Sequence, residues 1–309
     1  MNNVFDIALV GDDTAAKIHS ILASNEPIIV LRVARFMAQL GNHDFTVTDE
    51  TMQLLKAMTP SLNRLTYSQI WEETELALQS THPERFFETL QQCGALQCIM
   101  PELYNLIEVP QPIAHHPENF VFTHIMLALQ QAVILSKQNP IISFSVLMHD
   151  LGKAVSPKDT LPSHPGHEDA GVPLVTAFCE RFAITGTYRD IALKVTQYHL
   201  KIHRALELRA SSVVNLFVDL NVLTADAADT LELILLACKA DATGRLGLTQ
   251  KAYPQADYLR KMHAALISLD TNAIIEKYKM LGDAAIGNQI RNAQNDLAYA
   301  TARQLKKQM

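Results

Sequence analysis

Residues 143–153 read SFSVLMHDLGK, an apolar run that ends on the adjacent pair His149–Asp150 and is followed by Gly152 and Lys153. The run is read as a buried helix, closed by the His–Asp pair. Gly152 is expected to bend the chain there, so that both side chains turn inward toward one ion. One imidazole nitrogen and one carboxylate oxygen suit a divalent ion such as Mn, Fe, Co, Ni or Mg. Two ligands are too few, so further ones must come from elsewhere in the chain. His124 sits among apolar residues in VFTHIMLAL (121–129), and Asp241 ends the apolar LELILLACKAD (231–241). Burying either without a partner would be costly, and a shared metal would satisfy both. The expected ligand set is therefore His124, His149, Asp150 and Asp241.

Outward from this stretch the chain is helical throughout. Helices are expected over 28–40, from Thr48 into 49–58, over 68–79 and 83–92, and again over 121–137, 141–151, 166–183, 187–203, 211–219, 225–241, 255–267 and 284–305. No segment alternates with period two for long enough to make a sheet. PELYNLIEVPQPIAHHPENF (101–120), with four prolines, reads as an irregular linker. The fold class is all-α. The expected domains are a helical neck/body-like part over 1–110, a metal-binding part over 111–270 and a helical extension over 271–309.

The chain has 309 residues, 48% of them hydrophobic and 19% charged, which excludes a largely disordered chain. A formal net charge of -6 argues against a surface that grips nucleic acid everywhere. A local patch from Arg32, Arg35, Lys251, Arg260 and Lys261 is the expected exception. Cys93, Cys98, Cys179 and Cys238 read as buried free thiols of a reducing compartment. The N-terminus lacks a signal-peptide pattern, and no run approaches the roughly 18 apolar residues of a membrane span. A cytoplasmic protein without a membrane partner is expected, and homo-oligomerisation is left open.

A His–Asp pair alone carries little information. With 12 histidines in the chain, a second one, His43–Asp44, occurs in the polar GNHDFT and reads as turn chemistry. What distinguishes His149–Asp150 is the Leu151-Gly152-Lys153 that follows and the partners His124 and Asp241 at suitable separations, in the order His, His–Asp, Asp on three helices. In that order the region resembles the HD phosphohydrolase superfamily. The resemblance implies that extra histidines nearby meet a second metal or the scissile phosphate. His167 is the first candidate and His199 the second, while His164 and His203 read as loop or helix-surface residues. Lys153 and Arg245 are candidates for phosphate oxygens, and Asp150 for the proton of an attacking water.

The resemblance narrows further. PIIVLRVARF, FTVTDETMQLLKAM, IWEETELAL, FFETLQQCGALQCIMPEL, HPENF, FTHIMLAL, LMHDLGK, HPGHEDAG and KADATGRLG occur in this order. Together they resemble the neck, body and HD regions of bacterial CCA-adding tRNA nucleotidyltransferases. That family implies metal-dependent hydrolysis of 2′,3′-cyclic phosphates and phosphomonoesters of nucleotides or of an RNA or tRNA terminus. Two departures stand out. LVGDD (9–13) only faintly matches the family's glycine loop, and no nucleotidyltransferase head is expected in residues 1–25. The family's base-reading Glu-Asp-x-x-Arg falls on Asn25, Glu26 and Ile29, so CCA addition is not expected. A free-nucleotide phosphatase and a non-catalytic tRNA- or protein-binding module with a structural metal are the alternatives.

Overall fold

The computed structural model describes residues 26–40 and 46–307. Asn25, the LVGDD segment and the His43–Asp44 pair lie outside them. Within them the protein is all-α, and the one β feature is an isolated bridge between Pro110 and Phe120. The residues divide into two compact units. One holds the chain up to Gln197 together with Ala240–Lys251, and the other holds Tyr198–Lys239 and everything from Ala252 onward.

The first unit opens with α1 (Ile28–Leu40), α2 (Asp49–Met58), α3 (Tyr67–Leu78) and α4 (Pro83–Gln92). α1 buries Ile29, Val30, Leu31, Val33, Ala34 and Ala38 against α3 and α4, which fixes its apolar face. Thr48 caps α2 by accepting from Thr51 N, and Thr66 and Gln69 form a reciprocal capping box on α3. Pro83 opens α4 as a first-turn proline, where no backbone donor is lost. Two short helices, α5 (Ala95–Ile99) and α6 (Pro101–Tyr104), follow.

α7 (Val121–Ser136) packs on α4 and on α8 (Pro140–Met148). α8 is started by Asn139, whose side chain accepts from Ile141 N, and every residue from Ile142 to Met148 is buried. A helix apolar on all sides belongs in a core. Phe144 anchors it edge-on to Trp71 of α3, with ring centroids 5.4 Å apart. α9 (His167–Arg181) lies against the 3₁₀ turn Leu151–Val155 and is tied to α6 by Arg181, which donates to both Glu102 carboxylate oxygens at 2.6 and 2.8 Å. α10 (Thr187–His203) and α12 (Ala228–Thr243) each contain a boundary between the units. In the second unit α11 (Ala210–Asp219), α13 (Pro254–Ile267) and α14 (Thr271–Tyr278) pack on the long α15 (Asp283–Lys306).

Three sequence expectations change. The apolar helix ends at Met148, before the His–Asp pair, and a 3₁₀ turn carries the chain on. Residues 101–120, expected as an irregular linker, open with the short helix α6 and are irregular after it, yet are packed in, because Gln111 and His116 are buried and hydrogen-bonded. Cys98 is exposed, since it sits on the outer side of the one-turn α5, while the other three cysteines are buried.

Candidate metal centre

His149 and Asp150 are 1% exposed, Asp241 3% and His124 fully buried, so four polar side chains share the interior of the first unit. Each comes from a different local device. His124 lies on the first turn of α7. Asp241 lies on the last turn of α12, brought beside it by a close helix approach. A Cβ on Gly244 would fall 2.3 Å from Ala128 Cα, so only glycine permits α12 to end against α7 one turn beyond His124. His149 caps the end of α8, and Asp150 begins the 3₁₀ turn. The sequence reading expected Gly152 to bend the chain through glycine's conformational freedom, but its φ is not positive. Its missing Cβ lets the turn meet the start of α9, since a Cβ there would fall 1.9 Å from the His167 carbonyl oxygen.

The ligand atoms converge. His124 Nε2 lies 3.0 Å from Asp241 Oδ1, and His149 Nε2 lies 3.8 Å from that same oxygen and 3.1 Å from Asp150 Oδ2. Ligands held about 2.1 Å from one ion stand about 3.0–3.4 Å from each other in a tetrahedral or cis arrangement. His124, His149 and Asp241 form one group that could hold an ion, and Asp150 adjoins it through His149 rather than through His124 or Asp241. The orientation of the rings supports the same fit. His149 Nδ1 donates to the Val146 carbonyl at 2.7 Å, and His167 Nδ1 donates to the His164 carbonyl at 2.7 Å. A carbonyl only accepts, so both Nδ1 atoms carry the proton and both Nε2 atoms face the carboxylates. A neutral His149 would then aim a lone pair at two anions, an arrangement that requires a proton or a metal between them.

The electrostatics report this demand. Burial opposes charge on His149, but the Asp150 and Asp241 carboxylates outweigh it and raise its pKa. Burial likewise opposes charge on Asp150, yet His149 and Lys153 hold its carboxyl well below the usual range. His167 Nε2 lies 3.3 Å from the other oxygen of Asp150. Lys153 is buried, and its ammonium donates to Asp150 Oδ2 and Gln111 Oε1, both at 2.7 Å. It is therefore not a solvated lysine. Arg245 Nη2 lies 3.9 Å from Asp241 Oδ1, and its Nη1 donates to the His115 carbonyl. His199 is buried on α10 in the second unit, with its ring centroid 5.8 Å from that of His203. His203 is held to the Tyr253 hydroxyl at 2.8 Å. His164 is buried, its ring bonded to Ser156 Oγ and the Pro110 carbonyl, and burial lowers its pKa.

Sequence reading passed over three further residues. Glu118 Oε1 lies 2.9 Å from His116 Nδ1 and 3.0 Å from His124 Nδ1, and its other oxygen accepts from Leu246 N. Burial alone would raise its pKa, but the hydrogen bond from His116 and the imidazole of His124 keep it strongly depressed. Burial drives His116 down to about 4, against the pull of Glu118. Glu118 thus places its charge 3.0 Å behind His124 Nδ1, without a well-formed hydrogen bond to it, while His124 Nε2 faces Asp241. Gln111 holds Lys153 by accepting from its ammonium. All three lie in the proline-rich stretch, where the only signal was the HPENF match.

The HD domain family matches residues 121–244, the span that carries all four ligand candidates. Residues 44–106 match the family described as "Probable RNA and SrmB- binding site of polymerase A". The multifunctional CCA protein of Shewanella denitrificans is 42% identical over 280 residues, covering 88% of this chain and 64% of that protein. The chain is a homologue of the multifunctional CCA proteins. The CCA protein of Thioalkalivibrio sulfidiphilus is 40% identical over 273 residues, covering 87% of this chain and 66% of its own length. That of Methylococcus capsulatus is 40% identical over 285 residues, covering 92% and 65%. This CCA-protein homologue spans a little under two thirds of the length of the relatives it matches, and the match falls in their C-terminal part. The HD domain is all-α and belongs to a group of metal-dependent hydrolases.

Proposed function

We propose that the protein is a metal-dependent phosphohydrolase, with a divalent ion (Mn, Co, Ni or Mg) held by His124, His149, Asp150 and Asp241. The observation that carries this reading is the convergence of Nε2 and carboxylate atoms at 3.0–3.8 Å in an HD domain. Such an ion supplies Lewis-acid polarisation of a phosphoryl oxygen and acidifies water. The protein's own groups do the rest. Asp150, kept ionised by its neighbours, is the acceptor for a proton from the attacking water. Lys153 keeps Asp150 in place and, with His167 and Arg245, offsets charge that develops on the phosphoryl group. His199 is a further candidate for substrate contact.

The proposed substrate is a 2′,3′-cyclic phosphate or a phosphomonoester, on a nucleotide or at an RNA or tRNA terminus. The RNA-binding family match over 44–106 and the CCA-protein relatives favour the terminus. CCA addition is not part of the proposal. Ile29, where the resembled family has its base-reading arginine, is apolar and fully buried in α1, so it offers no hydrogen bond to a base.

Free nucleotides are the second reading, and one observation favours them. Arg32 and Arg35 both pair with Glu73, and Arg260 pairs with Glu232 and Asp257. Three of the five cations expected to form a basic patch are thus ion-paired, with Arg32 and Arg35 sharing the one Glu73 carboxylate. Burial of the four ligands favours a third, a structural metal in a binding module, because structural sites are closed.

A panel of phosphoesters after EDTA treatment and metal return separates the three. Turnover of RNA ends above that of mononucleotides, falling steeply with salt, supports the first reading. Equal turnover with little salt dependence supports the second, and metal binding without hydrolysis supports the third. Template-directed incorporation of labelled CTP into tRNA lacking its CCA end would overturn the claim about addition.

A further inference from the structure

The C-terminal unit contains a cavity of about 770 Å³ between the start of α11 and the end of α15. Small-molecule sites commonly run to about 300–1,000 Å³, so the space suits a ligand of nucleotide size. Arg209 stands on the α11 side, Arg303 and Lys306 stand on α15, and Lys307 caps its end. All four are exposed. Other cations of this unit, Lys201, Arg204, Arg260 and Lys279 among them, pair with carboxylates. Among the described residues none of the four at the cavity has such a partner, and Asp296 is the one carboxylate in its lining. In a chain of net charge -6 this is a local inversion of sign. Arg209 caps α11 without a side-chain hydrogen bond, so Ala210 and Ser211 in the lining add N–H groups that lack a helical acceptor.

The rest of the lining narrows the ligand. Leu208, Ala210 and Ala302 make an apolar wall, and the Tyr299 ring is 66% exposed beside it. A simple anion has no use for an apolar wall, and an acyl chain needs enclosure rather than an exposed ring. A base with a phosphate needs both an aromatic face and cations. We propose that this cavity binds a nucleoside phosphate, either a free nucleotide or one residue of an RNA strand. Its base lies on Tyr299 and its phosphate among Arg209, Arg303 and Lys306. None of these residues belongs to the candidate metal centre, so the proposal stands without that reading.

The test is calorimetric titration of the full chain in EDTA, with AMP, a single-stranded hexaribonucleotide and inorganic phosphate as probes. The variants are Tyr299→Ala, the double Arg303→Glu/Lys306→Glu, and His149→Ala. All substituted cavity residues are exposed, and far-UV circular dichroism checks that the helices persist. AMP is expected to bind the parent and His149→Ala alike, and about tenfold or more weakly to each cavity variant. Binding of the hexanucleotide but not AMP, with the same variant pattern, assigns the ligand to a strand. The proposal is overturned if neither probe binds, if the cavity variants bind as the parent does, or if inorganic phosphate binds as tightly as AMP.

Discussion

Glu118 is two bonds removed from the centre it serves. Its carboxylate lies 2.9 Å from His116 Nδ1 and 3.0 Å from His124 Nδ1, and these three residues could themselves hold an ion on the far side of His124 from Asp241. Partners of this kind fix the tautomer and raise the basicity of a ligating imidazole, and their loss typically weakens metal binding about 10- to 100-fold. Glu118→Gln keeps the shape and removes the charge. Its metal affinity, measured by competition with a chelating dye, should fall by about that factor while helix content holds. An unchanged affinity would mean that His124 is not a ligand. His149→Ala should remove metal and hydrolysis together, because three ligands remain and one of them shares its charge with Lys153. A second residue-scale prediction concerns the thiols. Burial lifts Cys179 to about 11 and also raises Cys93, while Cys98 is exposed. A thiolate is the reactive form, so an aromatic disulfide reagent at pH 8 should modify one thiol quickly in the folded chain. Cys98→Ser should abolish that fast phase. More than one fast thiol would show that the interior opens readily.

The helices themselves were legible because each carries a local signal: a cap at Thr48, a proline at Pro83, an apolar face on α1. α5, α6 and α14 were missed: the first two are about one turn long, and TNAIIEKY is short and buries no residue that would give it a face. The site was legible in its ligands and not in its supports. His124 and Asp241 stood out as polar residues on apolar helices, a one-dimensional signal. Gln111, His116 and Glu118 lie in a turn-rich segment without periodicity, and their partners are remote in sequence. The glycines make the same point. Gly244 and Gly152 look alike on paper to Gly287, yet the first two stand where backbone meets backbone and the third faces open space. Gly244→Ala must push α12 away from Ala128, with a stability loss of about 1–3 kcal/mol and weaker metal binding. Gly287→Ala, inside α15, should instead stabilise the chain by up to about 1 kcal/mol, because alanine loses less backbone freedom in a helix. Denaturant midpoints of the two variants check the opposite signs. A Gly244→Ala protein as stable as the parent would remove the argument for the close approach.

At the scale of the molecule, the chain is divided in a way that sequence segments cannot express. All four ligand candidates lie in one unit, which includes Ala240–Lys251, while residues 254–306 lie in the other. A ligand that binds only the folded state stabilises it by mass action, by about 2.7 kcal/mol at a free concentration 100 times its dissociation constant. Local opening is not uniform in a protein, so this stabilisation should appear where the metal contacts the chain. Hydrogen exchange followed by mass spectrometry, with and without Mn, reads it directly. Peptides covering 118–126, 146–153 and 239–244 should exchange more slowly with metal, and peptides within 254–306 should change little. His149→Ala should erase the difference. If the metal slowed exchange equally across 254–306, or nowhere, the ion would not be held by this set of residues. The pattern also separates the two proposed sites, because AMP without metal should protect peptides around 208–211 and 295–307 and leave 146–153 as it was.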